Sequence, residues 1–446
     1  MLISLILKPG MIVSFTLENF LSFGSVNTLS FIATPIKDKA DKTFTPPSYQ
    51  WDYRLLRSVG VLGFNSSGKS NFLKAIAAMK YAVLYSAASS TNVFSSSIIP
   101  FLLKKENLDP THLEIVFFLG NRKYRYGFKI LNGVVSEEWL YYAEPKVREN
   151  NLFYRRNKAV SHNKNWNKEV DNSLDTLFKR AQDNTLFLSV LGVLNVQPAV
   201  DILNWFKRIT VIESFDVDTF IDFTSERLQD DIFRLNFLGI LREASLGFNA
   251  IIETKALQPS QNVKVGADFM QFMIQNELLP KAHYIVHTVH SMYDNDGAEV
   301  GTVRFDLREQ ESAGTKKFFG LIGLLLDSML KGSILLFDEL DAQFHFAMYE
   351  TLVAFFNNPR INPKGAQLIF TSHNTTLLKK SKIRRDQLYT IVKNAKAESE
   401  LRRIHEKGNT VRTDVSIEKE FTEGSLRTHP NIDFNLFTGI LDFPDY

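Results

Sequence analysis

Residues 63–71 read G-F-N-S-S-G-K-S-N, and their types suit the gripping of phosphate. Gly63 and Gly68 allow backbone angles that bulkier residues resist, so a loop between them can turn successive N–H groups inward as an anion nest. Lys69 supplies a cation for the β- and γ-phosphates, and the Ser70 hydroxyl can ligate Mg²⁺. Asn65, Ser66, Ser67 and Asn71 complete the expected nucleotide-binding loop. A second stretch, I-L-L-F-D-E-L at 334–340, places two carboxylates at the end of an apolar run. Asp338 is placed to hold Mg²⁺ and Glu339 to act as the general base on an attacking water. The expected ligands are therefore ATP and Mg²⁺.

Such groups need elements to carry them. Residues 56–62 form a β-branched run before the loop, and S-N-F-L-K-A-I-A-A-M-K-Y after it has helical spacing. Strand, glycine loop and helix in that order is the context the loop requires. The run 334–337 reads as a parallel strand covered on both faces. Helices before and after it (from 316, and over 343–357) and strands at 367–373 and 387–394 give an α/β alternation. Residues 12–33 read as a strand pair, and 112–141 as an antiparallel meander with turns at Gly120-Asn121 and Asn132-Gly133. The basic stretch 145–169 is expected to be a loop or the rim of an insertion, and 171–300 to be mostly helical. No heptad pattern is sustained, so no long coiled-coil arm is expected. The division that follows is an N-terminal ATPase lobe over 12–150, a helical insertion over 151–300, a C-terminal ATPase lobe over 301–396 and an extension over 397–446.

Composition narrows the function. The absence of cysteine excludes disulfides, thiolate metal sites and a cysteine nucleophile. The net charge of +3 gives little electrostatic support for nucleic acid, although 145–169 and K-K-S-K-I-R-R at 379–385 are locally basic. The apolar run at the N-terminus lacks a basic flank and a cleavage site, and no stretch reaches the ~18 apolar residues of a membrane span. Met11 is a candidate start, and a cytoplasmic protein is expected. His283, His287 and His290 have helical spacing that could suit a metal, but the β-branched residues among them favour a strand, which splits the imidazoles over two faces. Trp139, Trp166 and Trp205 read as packing residues.

The glycine loop with the Asp-Glu strand resembles the ATP-binding-cassette class of ATPase heads, which includes the SMC, Rad-fifty and RecF types. E-S-A-G-T-K-K at 311–317 lies where that class carries its signature, so the resemblance assigns Ser312, Gly314, Thr315 and Lys316 to a second molecule's γ-phosphate. His373 in T-S-H-N matches the switch histidine, and Asp341 the D-loop position. Within the class, F-T-L-E-N-F-L-S-F, L-L-F-D-E-L-D-A-Q-F-H and Q-L-I-F-T-S-H-N-T-T-L-L are similar in order and phrasing to the AAA15/AAA21 group of standalone ATPases, of the abortive-infection L type. That resemblance covers roughly residues 12–395. It implies a P-loop head with a mixed central sheet, an antiparallel meander and a helical insertion. It also implies a homo-dimer or higher homo-oligomer closing head-to-head around ATP, and an effector protein, a nuclease or toxin, encoded nearby in an anti-phage system. A RecF- or SMC-like repair ATPase acting on DNA is the alternative. Residues 101–108, near the place where the class carries a coupling glutamine, hold none.

Overall fold

The computed structural model describes residues 10–36, 43–44, 51–105, 109–213, 216–243, 248, 250–255, 282–343, 346–373 and 383–405. Strands β1 (Gly10–Glu18) and β2 (Asn27–Ser30) pair antiparallel, as their alternation requires. After them come the short pair β3 (Thr43–Phe44) and β4 (Leu55–Leu56), then β5 (Ser58–Leu62), which runs into the glycine loop. The helix Lys69–Tyr85 follows the loop. Strands β6 (Thr111–Leu119), β7 (Arg122–Leu131) and β8 (Val134–Ala143) build the meander.

The basic stretch 145–169 is not a loop. It holds β9 (Asn150–Arg156), β10 (Ala159–His162) and the helix Lys164–Glu169. These strands continue the meander, giving a seven-stranded antiparallel sheet in the order β10-β9-β8-β7-β6-β1-β2. Edge strands with one wet face carry polar side chains on that face, which is why the segment reads as loop.

The second sheet positions the chemistry. Its order is β11-β15-β16-β5-β17-β18, with β11 (Ile209–Ile212), β15 (Ile334–Phe337), β16 (Gln367–Ser372), β17 (Leu388–Lys393) and β18 (Ser399–Arg403). All neighbours are parallel except the β17–β18 edge pair. Alternate side chains enter two different cores. Val59, Val61, Ile334, Leu336 and Ile369 pack with the helix Lys69–Tyr85 and the meander. Leu62, Ile212, Leu335, Phe337, Leu368 and Phe370 pack with the helix Ala313–Lys331. Both faces are dry, so the parallel strands are mainly apolar. Lys80 of the phosphate-loop helix is 4% exposed and donates to the Ile209 carbonyl at 2.6 Å, tying that helix to β11.

The described residues of 171–243 form helices joined by turns, with β11 among them. The chain then forms β12 (Ala250–Lys255) and β13 (Tyr284–Tyr293), which join β14 (Glu299–Asp306) in a three-stranded sheet. One buried network fastens the helices of 174–206 to the meander. Glu138, 0% exposed, accepts from the N–H groups of Phe187 at 2.7 Å and Leu188 at 3.0 Å and from the Tyr126 hydroxyl at 3.0 Å. Arg155, 1% exposed, lies 3.7 Å from it. Trp166 and Trp205 are core residues, and Trp139 is 7% exposed. Residues 379–382 of the second basic stretch, and 406–446 of the C-terminal extension, lie outside the described residues.

Candidate active site

Register brings the expected residues to one edge. Ile212 pairs with Phe337, Phe337 with Phe370, and Ser372 with Leu62, so the four strand ends align. The glycine loop, the acidic segment and His373 leave the sheet side by side, at the carboxyl end where ligands of open α/β sheets bind.

The loop needs both glycines. A Cβ at Gly63 would meet Ser67 Oγ at 2.6 Å and the Ile391 carbonyl at 2.9 Å. Gly68 has φ of 112° and would place a Cβ 2.3 Å from Ser399 Oγ. Ser399 Oγ donates to the Ser67 carbonyl at 2.6 Å and accepts from Ser22 Oγ at 2.8 Å, and Asn71 Nδ2 donates to Ser22 Oγ at 2.9 Å. The loop is therefore pinned from below by β18 and by the turn after β1. Its upper surface faces a cavity of about 260 Å³ lined by Asn65, Ser66, Gly68, Lys69, Ser70, Asn71, Glu339 and His373. Ser66 holds a left-handed φ of 63°. The first N–H groups of the Lys69–Tyr85 helix have no intrahelical acceptor and carry the positive end of its dipole.

Lys69 is 4% exposed, and its ammonium donates to the carbonyls of Gly63 and Phe64, both at 2.9 Å. A third contact joins it to His373 Nδ1 at 3.3 Å. Desolvation pushes the ammonium down to about 8, against the attraction of Asp338, Glu339 and Asp341. His373 Nε2 lies 3.4 Å from Glu339 Oε1. Both imidazole contacts are satisfied when Nδ1 accepts and Nε2–H donates, a tautomer assigned from the network.

The acidic segment is clipped to the end of β16. Thr371 Oγ accepts from the Glu339 N–H at 2.7 Å and lies 2.5 Å from Asp338 Oδ1, to which it donates. Asp341 Oδ2 accepts from the His373 N–H at 3.0 Å, while Asp341 Oδ1 is buried without a partner among the described residues. Glu339 sits at φ 49°, a left-handed backbone that costs an L-residue on the order of 1–2 kcal/mol. Hard oxygen donors from Ser70 and Asp338 fit Mg²⁺, which keeps several waters and takes one or two carboxylates beside substrate phosphates.

Ser312 caps the helix Ala313–Lys331, its Oγ accepting from the Thr315 N–H at 3.1 Å. Ser312 and Gly314 are exposed, and Lys316 turns back to donate to the Arg308 carbonyl. None of Ser312, Gly314, Thr315 and Lys316 lines the cavity around Lys69. The structure thus gathers the glycine loop, Asp338, Glu339, Asp341 and His373, and sets the 312–316 segment apart. The histidines of β13 make carboxylate pairs, His283 with Asp222 at 2.8 Å and His290 with Glu311 at 2.7 Å. No metal-holding group of three or more His, Cys, Asp or Glu occurs among the described residues.

Two residues escaped the sequence reading. Glu213 directly follows β11 and lies near Asp338, whose N–H donates to the Ile212 carbonyl at 2.8 Å. Desolvation raises its carboxyl, Lys74 opposes that, and Asp338 adds to it. The run I-T-V-I-E, a β-branched quartet ending in an acid as the apolar I-L-L-F ends in D-E, was its signal. Thr371 has no motif, only a polar side chain just after the apolar run Leu368–Phe370 of β16.

A glycine loop on a parallel sheet, with an aspartate and a glutamate ending the strand two places away, defines a P-loop ATPase. The chain belongs to the family described as AAA domain, putative AbiEii toxin, Type IV TA system, whose sequence profile matches residues 58–379. None of the curated proteins matches it. Among solved structures it is similar to an Smc head bound to the C-winged helix domain of ScpA, at 15% identity over 87% of this chain and 96% of that one, with a TM-score of 0.42. It is also similar to the recombination mediator RecF with ATP, at 12% identity over 89% and 99%, with a TM-score of 0.35. A third is the Smc head of Pyrococcus yayanosii, at 11% identity over 88% and 96%, with a TM-score of 0.34. No helix among the described residues is long and apolar enough to cross a membrane.

Proposed function

We propose that the chain is a Mg-ATP-dependent switch of a cytoplasmic abortive-infection system. Two copies close head-to-head around ATP, and the closed state binds or releases an effector protein. What carries this reading is the separation described above: the cavity holds the phosphate loop, Lys69, Glu339 and His373, while Ser312, Gly314, Thr315 and Lys316 do not line it and Ser312 and Gly314 are exposed. A second subunit can then bring Ser312, Gly314, Thr315 and Lys316 to the γ-phosphate. The family description names a putative AbiEii toxin of a type IV toxin–antitoxin system, and the defence role is read from that name.

Phosphoryl transfer needs positioning and electrostatics rather than covalent help. The loop amides and Lys69 hold the phosphates, and the ammonium exchanges its carbonyl partners for phosphate oxygens. Ser70 and Asp338 would hold Mg²⁺, which would supply positive charge against that developing on the phosphates. Glu339 orients the water and takes its proton at Oε1. His373 holds that carboxylate through Nε2, and Asp341 holds the His373 backbone.

Glu339→Gln is expected to bind ATP and to lose about 10²–10⁴-fold in turnover, the usual worth of a general base. It should accumulate as a dimer with ATP and Mg²⁺, read by light scattering after gel filtration. Unchanged turnover removes Glu339 from its role, and a monomer at saturating ATP removes the dimer. Co-purification with the products of adjacent genes, with and without ATP, tests the effector. A salt-sensitive DNA gel shift that tightens with ATP would favour the repair reading instead.

A further inference from the structure

We infer that Thr371 is the positioning residue of the hydrolytic pair, fixing through one hydroxyl both the direction of the Glu339 carboxylate and the oxygen that Asp338 leaves free. The inference rests on the ATPase reading and adds to it a residue that no motif marks.

The argument begins with hydrogen counting. The Glu339 amide can only donate, so Thr371 Oγ accepts at 2.7 Å and must send its single hydrogen elsewhere. The acceptor within reach is Asp338 Oδ1 at 2.5 Å, and the contact is a charge-assisted one. A directed chain results, from Glu339 N–H through Thr371 O–H to Asp338. Only a small hydroxyl side chain does this: valine offers no polar atom, and an amide or carboxylate is too large for a site that is 0% exposed.

Two consequences follow for the site. The left-handed φ of 49° at Glu339 is one that a glutamate does not choose by itself, so something must hold it. Thr371 does so from a buried strand end whose partners across the sheet are fixed, Thr371 opposite Val61. The turn it holds aims the Glu339 side chain back toward His373 Nε2 and the cavity. Meanwhile Asp338 Oδ1 accepts from the hydroxyl, which leaves Oδ2 as the oxygen that would take a metal or its water. Oriented outer partners of this kind are common around metal-binding carboxylates.

The test uses the full-length protein with Thr371→Val, Thr371→Ser and Glu339→Gln. Thr371→Val is expected to lower kcat by about 10–100-fold, the usual effect of losing such a partner. Its nucleotide Kd should stay near the wild-type value, and its demand for Mg²⁺ should rise. Thr371→Ser, which keeps the hydroxyl, should restore most of kcat. Hydrogen exchange at the Glu339 amide should speed up in the valine variant and return toward wild type in the serine variant. Wild-type kcat in Thr371→Val, alongside an inactive Glu339→Gln, overturns the proposal and leaves the ATPase reading intact. If the wild-type protein hydrolyses no ATP, that reading falls, and exchange still decides the role of Thr371: unchanged protection at Glu339 overturns it. Should Thr371→Val not fold, Thr371→Ala gives the same comparison without the added methyl.

Discussion

Glu138 and Glu339 are the same side chain in two surroundings. Glu138 is 0% exposed and its oxygens are filled by two amides, a tyrosine hydroxyl and a nearby guanidinium. Glu339 is half exposed, and its side chain meets the His373 imidazole at 3.4 Å. The first carboxylate is spent on joining helices to a sheet. The second is left available, on a backbone that another residue must hold. Acidity and position beside a cation do not separate the two; the number of oxygens left without a donor does.

Changing both to glutamine breaks this comparison most sharply. Glu138→Gln removes the charge that Arg155 faces and turns an amide N–H toward groups that already donate. Breaking a buried pair in that way costs about 3–5 kcal/mol, to be read by urea unfolding, with kcat of the folded fraction unchanged. Glu339→Gln, a partly exposed site, should shift stability by no more than about 0.5 kcal/mol while abolishing most turnover. Equal losses of stability in both variants would erase the distinction.

A smaller effect comes from Lys69, whose ammonium is held down to about 8 from 10.5. The unfolded chain keeps that proton more tightly than the folded protein. The buried charge therefore costs stability below pH ~8, and stability rises between about 8 and 10.5 as the folded lysine loses its proton. Phosphate binding needs the charged form, so kcat/KM should fall about tenfold per pH unit above that value, the pKa of the free enzyme. A flat profile through pH 9 would show that Lys69 does not govern binding.

The smallest effect is expected at Ser312. Ser312→Ala removes a helix cap worth about 1 kcal/mol. The loss should appear in the ATP-dependent dimer more than in ATP binding by the monomer, by sedimentation and calorimetry respectively. Equal loss in both would place the segment's role within one subunit.

The parts legible in the sequence were those whose chemistry is local. The glycine loop, I-L-L-F-D-E-L and T-S-H are contiguous and carry their own punctuation. The parts that were not legible depend on partners distant in the chain. I-T-V-I at 209–212 is four residues inside a helical region, and only pairing with Ile334–Phe337 makes it a strand. The basic run at 145–169 hid β9 and β10, because paired strands show one wet face and their hydrogen bonds leave no trace in composition. Residues 284–293 were grouped with helices, although the β-branched residues among its histidines pointed to a strand, as observed. Thr371 was invisible because its significance is two hydrogen bonds to residues 32 and 33 positions earlier.

The resting contacts of Lys69 make affinity for nucleotide a difference between two bonded states. Its three protein acceptors are already engaged, so an arriving phosphate competes with them instead of filling an empty place. Weak measured affinity would then reflect a well-latched empty loop as much as a poor fit. It also follows that ATP and ADP should differ mainly in which of them can draw the ammonium off His373, which gives the imidazole a free lone pair only when the longer nucleotide is present.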